Sequence, residues 1–209
     1  KDLYAFCEAQ GLPAKTLISE YSPGQMEIVL RHRADVLKAC DEAIMLKRLI
    51  KACNELGVMI DLSHINEKGF NDVAALSTAP LVATHSNAHA ITPSSRNLTD
   101  RQLAVIRDSK GMVGLNFATS FLRRDGKQSA DMGWDDVLRH LDHLLKHLGE
   151  DHLGLGSDFD GATLPKGIGD VTGLPALQQA MIDHGYGPAL MRKLCHENWL
   201  ALLDRTWGH

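Results

Sequence analysis

Apolar and polar positions change rhythm along the chain. Over residues 28–53, "IVLRHRADVLKACDEAIMLKRLIKAC", apolar side chains recur at helical spacing, at Leu30, Ala34, Leu37, Ile44 and Leu49, which predicts a helix. Ahead of it, "EYSPGQMEI" is a turn-rich segment holding Pro23 and Gly24 between Glu20 and Glu27. From residue 57 short apolar runs alternate with longer amphipathic ones. The runs predict strands at 57–62, 80–84, 112–117 and 153–157, and helices near 67–76, 99–109, 134–148, 174–183 and 187–204. Punctuation supports the helices. Thr99 and Gln102 form a capping-box pattern, with Gly111 past the last turn. Asp135 and Asp136 open the next helix and Gly149 closes it, which suits the helix dipole.

Strands alternating with helices of this length predict parallel βα units. The fold expected is α/β, about four units of a partial TIM-like (β/α) barrel, preceded by a helical segment. A half-barrel exposes raw sheet edges, so the segment is expected to derive from something larger or to pair in a homo-oligomer.

In such architectures catalytic groups gather at the carboxyl ends of the strands. His64 and His85 both fall there, on consecutive units, and Asp158 ends the strand in "HLGLGSDFDG". Asn116 ends another, and Arg96 lies in the loop "TPSSRN". Two imidazoles, a carboxylate and a guanidinium at one rim make a metallohydrolase set. Imidazole nitrogens suit zinc, which polarises carbonyls and acidifies water, and a guanidinium fork fits a substrate carboxylate. His140, His143 and His147 share one helix at spacings of three and four and are expected to form a solvated face without a carboxylate partner. Asp160 and Gly161 read as turn residues, and Gly154 and Gly156 as sites of close packing.

Composition narrows the field. With 44% hydrophobic and 23% charged residues and a formal net charge of −4, the chain has no basic footprint, so nucleic acid is not an expected partner. No apolar stretch approaches the ~20 residues of a membrane-spanning helix, and no signal peptide is legible. A cytoplasmic location is therefore expected. Cys7, Cys40, Cys53 and Cys195 lack metal-knot spacing and read as reduced thiols. The chain starts at Lys1, which suggests a fragment.

Several stretches together resemble the membrane (renal-type) dipeptidases: "VMIDLSHIN", "PLVATHSNA", "PSSRNLTD", "MVGLNF", "HLDHLLKHLGEDHLGLGSDFDG" and "ENWLALL", in order from about residue 54 to the end. These are binuclear zinc enzymes on a TIM-like barrel. The resemblance implies a zinc-dependent dipeptidase in which His64 and His85 bind the second zinc. It implies that Arg96 holds the carboxylate of a dipeptide substrate, that Asp158 moves a proton as the tetrahedral intermediate collapses, and that a metal-bridging hydroxide is the nucleophile. The family's His-x-Asp pair, its bridging glutamate and a substrate-binding histidine have no counterpart in the sequence. At most one zinc site, partly retained, is therefore implied.

Residues 1 to about 52 resemble glutamine synthetase-type ligases through the E-x-x-x-G-Q-x-E signature and its following helix. In that family Glu20 and Glu27 would coordinate a divalent cation, so they rank as metal candidates behind the two histidines. The ligase's later ATP- and phosphate-holding motifs are absent. The domains expected are a glutamine synthetase-like fragment at 1–53, turn plus helix, and a dipeptidase-like half-barrel at 54–209. The rival readings are a non-catalytic remnant or fusion product and, behind it, an ATP-dependent γ-glutamyl ligase.

Overall fold

The computed structural model describes residues 9, 14–19, 26–30 and 36–207, and divides the chain into two compact units, 1–56 and 57–209.

In the first unit, β1 (Ala14–Ser19) pairs antiparallel with β2 (Met26–Leu30), and helix α1 (Val36–Glu55) follows. Residues 28–30, expected in a helix, thus lie in a strand, and the helix is described from Val36. Ile28 and Val29 are β-branched and favour the extended chain, and Leu17 and Ile18 supply the facing register. Glu20 lies outside the described residues. Glu27 falls in β2, opposite Ile18, but its side chain is also outside the description.

The second unit is a parallel α/β layer. Strands β3 (Val82–Ala83), β4 (Met112–Leu115) and β5 (Leu153–Leu155) lie side by side in that order, with Val82 opposite Met112 and Val113 opposite Leu153. Every residue of β4 is buried, the pattern of a strand covered on both faces. The expected strand at 57–62 is reduced to a parallel bridge from Asp61 to Val82, fastened by the Leu62 amide donating to the Val82 carbonyl at 2.7 Å. Its ladder stops there because the next residues turn away. The Asp61 carboxylate accepts the Ser63 amide at 2.9 Å and bends the chain into a loop.

The connections are helical: α2 (Glu67–Leu76), α3 (Asp100–Asp108), the short α4 (Thr119–Leu122) and α5 (Trp134–Leu148), then α6 (Leu174–Asp183), α7 (Pro188–Arg192) and α8 (Asn198–Trp207). The capping box at Thr99 and Gln102 is formed. The single helix expected over 187–204 is broken by a π-helical turn at Lys193–Glu197. That wider turn sets the register of Asn198, whose buried amide donates to the carbonyls of Glu150 (2.6 Å) and Leu153 (2.7 Å). Behind the sheet, Val82, Met112 and Leu202 form a fully buried cluster with Met59 and Trp199 against it.

Two glycines let the strands converge at the rim. A Cβ on Gly114 or on Gly156 would lie 2.0 Å from the Thr84 carbonyl oxygen, so only hydrogen fits at either place. Gly154 is likewise closed in, by Met112 and Trp199, as its close-packing assignment anticipates.

Candidate active site at the strand ends

His64 and His85 converge. Their Nε2 atoms are 3.0 Å apart and the ring centroids 5.1 Å, with the planes inclined at 63°. Two donors on a tetrahedral zinc with Zn–N near 2.0–2.1 Å sit ~3.3 Å apart, so this pair suits one shared cation. His85 is buried and His64 exposed, which leaves the gap between them open to solvent on one side.

Residues around the pair hold it in place. Thr84 Oγ1 lies 2.7 Å from His85 Nδ1, donates to Asp61 Oδ2 at 2.5 Å, and so ties the imidazole's far nitrogen to a carboxylate. Asp61 Oδ2 is itself 3.9 Å from that nitrogen. Such an arrangement fixes ring orientation and leaves Nε2 for a ligand. Asp61 also accepts the Thr84 amide at 3.0 Å, and Ser63 Oγ accepts the His85 amide at 3.0 Å. The two loops carrying the histidines are thus laced together by their own side chains. Asp61, Thr84 and Ser63 went unassigned in the sequence reading, although Asp61 two residues before Ser63 is an Asx-turn pattern.

Asp158 joins the same set through Asn116. The Asn116 Nδ2 donates to Asp158 Oδ2 at 2.9 Å and approaches the His85 carbonyl at 3.3 Å. Asn116 is fully buried, and its own backbone amide donates to Asn87 Oδ1 at 2.9 Å. The backbone is strained at two of the candidate positions. His64 (φ 71°) and Asp158 (φ 70°) occupy the left-handed region, with Ser157 at 25° and Asp160 at 63° beside the latter. Each such residue costs about 1–3 kcal/mol and is held there by the surrounding fold.

Arg96 sits with its guanidinium 5.1 Å above the Phe121 ring centroid. Its loop is pinned from both sides. Asn97 Nδ2 donates to the carbonyls of Thr92 and Phe121, both at 2.9 Å, and Thr92 Oγ1 donates to the Leu122 carbonyl at 3.0 Å. Beneath the loop lies His140, fully buried rather than solvated as the sequence suggested. The Ala88 amide donates to its Nδ1 at 3.1 Å, and its Nε2 faces the Leu122 carbonyl at 3.1 Å and Thr92 Oγ1 at 3.2 Å. Burial pushes its pKa down to about 4, so it is neutral at pH 7.

The other two helix histidines also depart from expectation, because they do have a carboxylate partner. Asp100 Oδ1 is 2.7 Å from His143 Nε2, and Asp100 Oδ2 is 3.7 Å from His147 Nε2. This group lies on α3 and α5.

Comparison with known proteins follows this geometry. Residues 1–58 match the glutamine synthetase catalytic domain, and residues 46–206 match the membrane dipeptidase family. A solved metallopeptidase, dipeptidase AC, shares 73% identity over 79% of this chain, with a TM-score of 0.78. A metallopeptidase from Rhodobacter sphaeroides, solved with a phosphinate mimic of the dipeptide L-Ala-D-Ala, shares 74% identity over 78% of the chain, also with a TM-score of 0.78. An uncharacterized Klebsiella pneumoniae protein from the pqqA 5′ region is 53% identical over 76% of the chain. The chain spans 59% of that protein and 49% and 46% of the two solved structures. None of the helices described is long and apolar enough to cross a membrane. With residues 46–206 aligned to one family and solved metallopeptidases 73% and 74% identical over most of its length, the chain belongs to the membrane dipeptidases, peptidase family M19.

Proposed function

We propose that residues 54–209 carry one side of a zinc-dependent dipeptidase site, on half of a TIM-like barrel, with residues 1–53 a glutamine synthetase-like appendage. The observation that carries this is the 3.0 Å approach of His64 Nε2 to His85 Nε2, with Asp158 linked to His85 through Asn116. His64 and His85 would hold one zinc ion, which when bound polarises the scissile carbonyl and lowers the pKa of water.

The chain's own groups do the rest. Arg96 presents two parallel N–H donors to the carboxylate of the dipeptide, a bidentate contact that fixes the end of a short substrate and disfavours longer ones. Asn116 grips Asp158 Oδ2, so the carboxylate is oriented before substrate arrives, and Oδ1 takes the proton that the attacking water gives up and hands it to the departing amine. The dipeptide class is supported by the solved relative's ligand, a mimic of L-Ala-D-Ala.

The test is binding of that phosphinate mimic to the zinc-loaded chain by calorimetry, alongside release of free alanine from L-Ala-D-Ala. Asp158→Asn is expected to abolish alanine release while keeping the mimic bound, and Arg96→Met to abolish binding of both. Mimic affinity that is the same in wild type, Arg96→Met and His64→Ala refutes the assignment.

A further inference from the structure

We propose that Asp100, His143 and His147 form a second metal site, for a borderline divalent ion such as Zn²⁺ or Cu²⁺, on the outer helical layer and independent of the strand-end histidines.

His143 and His147 are one turn apart on α5, the i, i+4 spacing that lets two imidazoles on one helix face share a metal ion. Their rings stack with centroids 4.4 Å apart and planes within 25°, which aims both Nε2 atoms the same way. The target is the carboxylate of Asp100, the first residue of α3, and one ligand atom from each of the three residues lies within 4.8 Å of the others. Around a tetrahedral zinc, neighbouring donors sit ~3.3 Å apart. The separations from the Asp100 oxygens, 2.7 Å from Oδ1 to His143 and 3.7 Å from Oδ2 to His147, lie on either side of that spacing.

A plain ion pair explains less. His143 alone satisfies Asp100 Oδ1 at 2.7 Å, whereas His147 Nε2 stops 3.7 Å from Oδ2, beyond hydrogen-bond reach. Two stacked imidazoles turned toward one carboxylate complement each other as ligands around a cation.

Both supporting elements are rigid. The Thr99–Gln102 capping box fixes the start of α3, and Leu103 and Ile106 anchor it in the core. On α5, Leu141, Leu144 and Leu148 are buried, and Arg107 Nη1 donates to the His147 carbonyl at 3.2 Å. The three side chains remain part-exposed, so water completes the coordination shell.

Cu²⁺ and Zn²⁺ titrations of the full chain test this, followed by calorimetry and, for copper, by electron paramagnetic resonance. The wild type is expected to bind an equivalent that shows two imidazole nitrogens and is lost in His143→Gln/His147→Gln. His64→Ala/His85→Ala should keep that equivalent, so the fate of the strand-end reading is scored separately. Unchanged stoichiometry in the α5 double variant overturns the proposal. If that variant does not fold, Asp100→Asn decides: weakened binding supports the site, and unchanged binding overturns it.

Discussion

Acid should loosen this protein through one buried imidazole. His140 has an ordinary pKa of 6.5 when exposed and about 4 when folded, because burial disfavours its cation. The unfolded chain therefore takes up the proton first. Stability is complete above pH 6.5 and falls as pH drops from 6.5 towards 4. At ~1.4 kcal/mol per tenfold change in proton affinity, the full loss is ~3 kcal/mol below both values and ~2 kcal/mol at pH 5. Carboxylates do not confuse this window. Asp100, Asp151 and Asp170 have folded pKa values lowered from 3.8, so what they contribute is lost only at more acid pH. The assay is urea unfolding at pH 7.5 and pH 5, followed by tryptophan fluorescence. All three tryptophans, Trp134, Trp199 and Trp207, lie in the unit that contains His140, so the signal reports that unit. In His140→Asn the carboxamide oxygen can still accept the Ala88 amide but has no proton to gain. The variant should start less stable by ~1–3 kcal/mol, for the lost Nε2 hydrogen bond, and should lose ~2 kcal/mol less than wild type between the two pH values. Equal losses in the two proteins would refute the argument.

Three further predictions use the same probe or a metal titration. Gly156→Ala should destabilise by ~1–3 kcal/mol, since its Cβ meets the Thr84 carbonyl and the strands must part; a change within ~0.5 kcal/mol would mean that the rim relaxes freely. His64→Gly should be more stable than His64→Ala by ~1 kcal/mol, because both delete the imidazole and only glycine accepts a φ of 71° without strain. The reverse order would show that the backbone flips once the ring is gone. Asp61→Ala should weaken zinc binding at the strand ends by ~10–100-fold through the Thr84–His85 relay, and calorimetry with unchanged affinity would remove Asp61 from the site.

The strand-end histidines were legible because an apolar run that stops at a histidine marks both a parallel strand and its carboxyl end. The antiparallel pairing of Ala14–Ser19 with Met26–Leu30 was not. The segment "MEIVL" places apolar residues where a helix would, and what decides for strand is its pairing with residues 14–19, which periodicity within one segment does not show. The strand at 57–62 was overread for a related reason. Its apolar run is real, but Asp61 uses its carboxylate to turn the chain, and the ladder ends at a single bridge.

The three histidines of α5 show where one-dimensional reading stops. They fall within about 60° of one another on a helical wheel, at 100° per residue, and looked like one polar face. Yet His140 stands three residues after Val137 and four before Leu144, both buried, so it belongs to the edge of the apolar stripe and is swallowed with it. His143 and His147 lie one step further round, where the neighbours are Arg139 and Lys146 and the side chains reach the next helix instead. Their partner, Asp100, is 43 residues away from His143 in sequence, and only the packing of α3 against α5 brings it near. One helix thus sorts identical side chains into different chemistry by a rotation of a few tens of degrees. Buried, an imidazole loses its proton and fastens the loop that carries Arg96. At the boundary, two imidazoles keep solvent access and share a carboxylate. At the strand ends His85 leans on Thr84 and, through it, on Asp61, and faces His64. In each case what the imidazole can do is set by the groups that its nitrogens meet and by how much water reaches it.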